Sequence, residues 1–183
     1  PGNYVARQVS RWSKQYRASE TNDIEAMNNL IEWLPKNIPD DDETSIVHGD
    51  YRLDNMILKN NKVMGILDWE LSTLGHPIAD FSYHCLSWRT QEAFWDQAKL
   101  KQLGVPTEKE YMDMYCENTG KDLSKNWEFY MAFNMFKIAG ILQGILGRVR
   151  DGTAASKHAE DRGMMVYPLS EAAWSTIEKN FLK

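Results

Sequence analysis

The sequence predicts an α+β fold, mainly helical, around a small cluster of short strands. Three observations predict it. Apolar residues recur at helical intervals near both ends, the middle turns to short β-prone runs, and one late stretch is apolar on nearly every face.

Val5, Val9, Trp12 and Tyr16 fall on one stripe, so the first segment reads as an amphipathic helix. Ile24, Met27, Leu30, Ile31 and Leu34 make a second stripe, opened by Asn22 as a cap and closed by Pro35. Pro39 to Glu43 reads as an acidic, solvated loop. Ser45 to His48, Met56 to Lys59 and Val63 to Leu67 then read as strands, the last two joined by an Asn60-Asn61 turn. Helices return beyond them. Thr107 to Glu110 is a capping box and Gly120 a stop signal. Asn126 to Val149 reads as a long buried helix. On it, Gly140, Gly144 and Gly147 permit close backbone approach, for packing or for a ligand. Asp151 to Gly163 is polar and loop-like, and a final helix runs from about Leu169 to Phe181. Residues 1–183 read as one domain-sized unit without internal repeats.

Hydrophobic residues make up 43% and charged residues 26%, the balance of a globular protein with a real core. A net charge of -5 argues against general nucleic-acid binding, which needs a basic face to displace counterions. Two cysteines, Cys85 and Cys116, without CxxC spacing suggest neither a disulfide framework nor a zinc site, and point to a reducing, cytoplasmic setting. Ile138 to Leu146, the most apolar run, is too short to cross a bilayer, so no membrane association is expected.

The polar residues worth attention sit among the strands: His48-Gly49-Asp50-Tyr51-Arg52-Leu53-Asp54-Asn55, then Leu67-Asp68-Trp69-Glu70. Phosphoryl transfer needs a carboxylate to take the acceptor's proton, hard oxygens to hold Mg²⁺, and a cation near the transferred group. Asp50 and Asn55 share one loop. Asp68 ends the second strand of the hairpin, which folds back toward Asn55, and Arg52 supplies a cation in the same loop.

His48-Gly49-Asp50 with Asn55, followed by Asp68-Trp69-Glu70, resembles the HGDxxxxN and DxE motifs of the aminoglycoside phosphotransferases, small-molecule kinases related to protein kinases. The resemblance implies a protein-kinase-like C-terminal lobe that uses ATP and Mg²⁺ to phosphorylate a small-molecule hydroxyl. By position Asp50 matches the catalytic base, and Asn55 and Asp68 match the metal ligands. Arg52 matches a γ-phosphate-contacting cation, and Ile57 and Leu67 match the apolar floor of the nucleotide pocket. Leu74-Gly75-His76-Pro77-Ile78-Ala79-Asp80 resembles the GDPxxD segment, whose last Asp braces the catalytic loop, with His76 in place of the usual Asp. Trp12 to Tyr16, Leu67 to Pro77 and Gln143 to Arg148 are similar to the kinase domain fused to some acyl-CoA dehydrogenases and its free-standing bacterial relatives. That similarity implies hydroxyacyl groups or thioesters as acceptors.

Other readings stand beside these. Glu70 either tunes the metal site or makes a structural salt bridge. His48 either bonds the loop backbone or transfers a proton. Arg148 and Arg150 either attract an anionic substrate or complement a helix end. Trp88 and Trp95 either line an acceptor cleft or pack in a core. Only 47 residues precede His48, they read as helices, and no GxG pair occurs. On that reading the β-rich N-terminal lobe of such kinases is missing, the chain starts past the hinge, and alone it is poorly active. The alternatives are a non-catalytic, pseudokinase-like nucleotide-binding or interaction module, and a metal-dependent hydrolase using His48, Asp50, Asp54, His76 and Asp80. The hydrolase is disfavoured because its histidines lack i, i+4 spacing.

Overall fold

The computed structural model describes residues 3–40, 43–90 and 97–182. Trp95, Asp41, Asp42 and the first two residues therefore lie outside the described residues. The stretch read as one unit divides into two compact units, residues 1–43 with 128–183, and residues 44–127.

The first unit is helical. Helix α1 (Tyr4–Ser19) buries Val5, Val9, Trp12 and Tyr16, the stripe predicted from their spacing. Helix α2 (Glu25–Trp33) differs from expectation at both ends. Ile24 occupies the N-cap without a side-chain bond, and Asn22 instead donates to the Tyr167 hydroxyl. Pro35 does not stop the chain outright but sits inside a 3₁₀ turn, Leu34–Lys36, where its fixed φ suits a first-turn position.

Helix α7 (Trp127–Arg150) forms the core of this unit, with Phe129 to Phe136 buried. It is long and apolar enough to cross a membrane, yet 72% of its most apolar window is buried inside the protein. Its glycines serve packing. A Cβ at Gly140 would sit 3.6 Å from the Trp12 carbonyl oxygen, and one at Gly147 only 2.9 Å from Ser19 Cβ, so α1 lies close against α7. Gln143 Nε2 ties the same pair by donating to Ser19 O at 2.7 Å. The polar stretch read as loop holds a short helix, α8 (Ala159–Met164), which buries Ala159 and Gly163. Helix α9 (Val166–Phe181) starts three residues before the expected Leu169 and packs on α2, where Trp33 meets Phe181 at 5.2 Å.

The second unit holds the strands. β1 (Ser45–Val47) pairs antiparallel with β4 (Thr73–Gly75), while β2 (Met56–Lys59) and β3 (Lys62–Ile66) form a separate hairpin. Asn60 and Asn61 turn it with φ of 51° and 58°, the left-handed pair that a tight hairpin requires. Helix α3 (Pro77–Cys85) follows β4 and packs on β1. Then come α4 (Ser87–Thr90), α5 (Gln97–Gln102) and α6 (Glu108–Thr119). Helix α6 is opened by the expected Thr107–Glu110 capping box and closed by Gly120 at φ 70°.

Candidate active site

Asp50 lies between β1 and β2, in the loop that begins at His48. That loop is held from α3. Asp80 accepts from the backbone N–H of His48 at 2.8 Å and of Gly49 at 2.9 Å, one on each carboxylate oxygen. One turn on, the Tyr83 hydroxyl donates to Asp50 Oδ1 at 2.9 Å, and His84 Nδ1 donates to the Tyr51 carbonyl at 3.0 Å. A carbonyl only accepts, so His84 carries its hydrogen on Nδ1. Burial lowers the pKa of this imidazole. Residues 80, 83 and 84 share one helix face and grip four consecutive loop residues.

Gly49 has φ +84°, and a Cβ there would stand 2.7 Å from the Leu71 carbonyl oxygen. Gly49→Ala should therefore destabilise the fold by at least roughly 1–2 kcal/mol from backbone strain alone, read in a urea melt.

His48 is 4% exposed, and both its ring nitrogens are committed. The Asp50 N–H donates to Nδ1 at 3.3 Å, which leaves Nε2–H to donate to Leu67 O at 2.8 Å. This is the backbone-bonding role, and it leaves no nitrogen to shuttle a proton. The Trp69 ring lies 4.8 Å from the imidazole.

Asn55 Nδ2 donates to Asp50 O at 2.9 Å and to Asp50 Oδ2 at 3.1 Å. Its amide oxygen is thereby turned away as a free acceptor. The Leu67 N–H donates to Asn55 O at 2.8 Å, so the hairpin brings the backbone just before Asp68 onto Asn55. Asp68 has φ 63°, a left-handed conformation that Asp tolerates and that marks functional turns. Its carboxylate is exposed and makes no hydrogen bond or ion pair among the described residues. One amide oxygen and one carboxylate, both unengaged, suit a hard cation that keeps waters and phosphate oxygens as its other ligands. Among the described residues no three His, Cys, Asp or Glu side chains cluster, as a metal-hydrolase centre would need. His48 and Asp80 are spent on backbone and Asp54 on Arg52, an arrangement that offers such a centre no support.

Arg52 is engaged within its own loop. Its guanidinium pairs with Asp54 through Nε at 2.9 Å and through Nη2, and this bond raises its pKa further. Ile57 and Leu67, expected in a pocket floor, are each 49% exposed. Leu58, Val63, Met64 and Leu74 are exposed as well, so this unit displays an apolar strand surface. Glu70 makes no ion pair among the described residues. Trp88 donates to Pro106 O at 2.9 Å and stacks on Tyr111 at 5.0 Å, the packing role. In the first unit Arg150 is tied to Asp151 and to Glu20 O at the helix end.

Sequence reasoning passed over Tyr83 and His84. Their i, i+3, i+4 spacing from Asp80 was the available signal.

With this geometry in hand, comparison with known proteins is decisive. The family model described as phosphotransferase enzyme family matches residues 1–115. The chain belongs to that family. A Ralstonia eutropha protein provisionally assigned as an aminoglycoside phosphotransferase has a crystal structure that superposes with a TM-score of 0.91. It is 50% identical, over 98% of this chain and 56% of that one. The fold is therefore that of an aminoglycoside phosphotransferase. Acyl-CoA dehydrogenase family member 10 of Mus musculus is 45% identical over 97% of this chain, and family member 11 of Homo sapiens 39% over 97%. The chain spans only 17% and 24% of the length of those two relatives.

Proposed function

We propose that this chain carries the catalytic loop of a kinase that transfers the γ-phosphoryl group of ATP, with Mg²⁺, to a hydroxyl of a small molecule. The arrangement that supports it most is a single one. The Asp50 carboxylate is fixed between Tyr83 and Asn55, the amide oxygen of Asn55 and the carboxylate of Asp68 stay unengaged, and a backbone bond from Leu67 to Asn55 joins the two segments.

In this reading Asp50 orients the acceptor hydroxyl and takes its proton. The acceptor oxygen forms a bond to the γ-phosphorus, the bond from that phosphorus to the β–γ bridging oxygen breaks, and ADP leaves with the electron pair. Asn55 and Asp68 would hold Mg²⁺, which when bound offsets the charge on the phosphates. Arg52 would reach the transferred group only by leaving Asp54, and a polyphosphate competes well for a guanidinium exposed on one side. Ile57 and Leu67 would lie under the adenine. The acyl-CoA dehydrogenase relatives make hydroxyacyl thioesters the acceptor class to try first.

An apolar strand surface about half exposed at Ile57 and Leu67 offers a base one wall rather than a closed slot. The 183-residue polypeptide alone is therefore expected to bind Mg-ATP weakly, with a dissociation constant in the millimolar range, about -4 kcal/mol of binding free energy. Calorimetric titration checks this; micromolar affinity would contradict it. The test of the function itself is transfer of label from γ-³²P-ATP by the intact protein to hydroxyacyl thioesters, aminoglycosides and choline in parallel. Nucleotide binding with no transfer to any hydroxyl would favour a non-catalytic binding module instead.

A further inference from the structure

We propose that Tyr83 is a positioning residue for phosphotransfer, its phenol locking the Asp50 carboxylate in the rotamer that receives the acceptor hydroxyl. The inference rests on the reading of Asp50 as the base.

The Asp50 carboxylate is fixed at both oxygens. Tyr83 Oη donates to Oδ1 at 2.9 Å, and Asn55 Nδ2 to Oδ2 at 3.1 Å. A carboxylate on a short side chain rotates freely about its last bond unless both oxygens are engaged. Two donors from different elements, the loop and α3, remove that freedom. Each oxygen keeps a second lone pair, so the acceptor hydroxyl can still be bound. Asn55 cannot do this alone, because its amide hydrogens are shared with the Asp50 carbonyl.

Tyr83 is suited to the task chemically. It sits on a helix whose neighbouring residues Asp80 and His84 hold the same loop, so its hydroxyl is placed by a rigid element. Burial first, then the bond to Asp50, pushes its ionisation up to about 12. It therefore stays a donor throughout the range in which a kinase works. It is too weak an acid to give Asp50 its proton, and a positioning role follows rather than proton relay.

Three measurements on the intact protein test this. Tyr83→Phe keeps the ring and the packing but removes the donor. Its kcat should fall roughly 10- to 100-fold with KM for ATP within about twofold. Placing 3-fluorotyrosine at position 83 should restore the rate. The ¹⁹F signal of that fluorotyrosine should also titrate at lower pH once Asp50→Asn is introduced. A fluorotyrosine at Tyr111 should not respond, because that phenol is raised to about 12 by burial without Asp50 among its causes. An unchanged kcat in Tyr83→Phe overturns the proposal, and so does a fluorine titration indifferent to Asp50. Full activity in Asp50→Asn would instead sink the reading of Asp50 as the base, and the role of Tyr83 with it, even where the titration still registers the contact.

Discussion

Asp50→Asn should cost the intact protein on the order of 10²–10⁴ in kcat while Mg-ATP still binds. The substitution keeps the shape of the side chain and an oxygen able to accept from Tyr83, removes the ability to take a proton, and replaces the oxygen that accepts from Asn55 with an amide nitrogen. Asp68→Ala should fail differently. It deletes one of the two unengaged oxygens that would hold Mg²⁺, so nucleotide affinity and turnover should fall together. Asp68→Ala should leave the melting temperature nearly unchanged, since Asp68 is exposed and unpaired among the described residues. Single-turnover transfer and calorimetric titration of both variants separate the roles. Equal loss of Mg-ATP affinity in the two variants would contradict this division of labour.

Asp80→Ala should give the larger loss of stability. It strips the acceptor from two backbone N–H groups, His48 and Gly49, at a position where His48 is 4% exposed. A buried donor left unpaired costs about 1–3 kcal/mol, which applies to the His48 N–H, and the half-buried Gly49 N–H adds to it. Asp80→Asn keeps one acceptor oxygen and should lose about half as much. Urea denaturation of the two variants provides the comparison. Because the same loop carries Asp50, kcat should drop along with stability. Exposed residues outside its reach, such as Lys59 in β2, should tolerate substitution.

How much of this could be read from the sequence differs from element to element. The stripe Val5, Val9, Trp12, Tyr16 was legible because a 3.6-residue period reports a buried helix face directly. The hairpin was legible because Asn60-Asn61 is a strong turn signal. Strand β4 escaped: Thr73, Leu74 and Gly75 are too few to show a period, and only pairing with β1 makes them a strand. Helix α8 escaped because polar residues surround it and its buried face consists of Ala159 and Gly163, which carry almost no hydrophobic signal. Asn22 has a good capping side chain, but Tyr167, 145 residues away, claims it.

The site followed the same rule. Asp50, Asn55 and Asp68 lie close in sequence and carry a recognisable pattern. Arg52 pairs with its near neighbour Asp54, a contact that the motif itself does not announce. Tyr83 went unnoticed because an isolated tyrosine in a helix looks like any packing residue. Only the fold shows that its helix face meets the loop.

The bonds from Asp80 have a consequence for motion. The amides of His48 and Gly49 lie just beyond the last residue of β1, so no neighbouring strand shelters them; a carboxylate on α3 does. Their deuterium uptake should therefore follow unwinding at the start of that helix rather than separation of β1 from β4. Exchange rates at these two sites would report, without substrate or nucleotide, how often the loop carrying Asp50 comes loose.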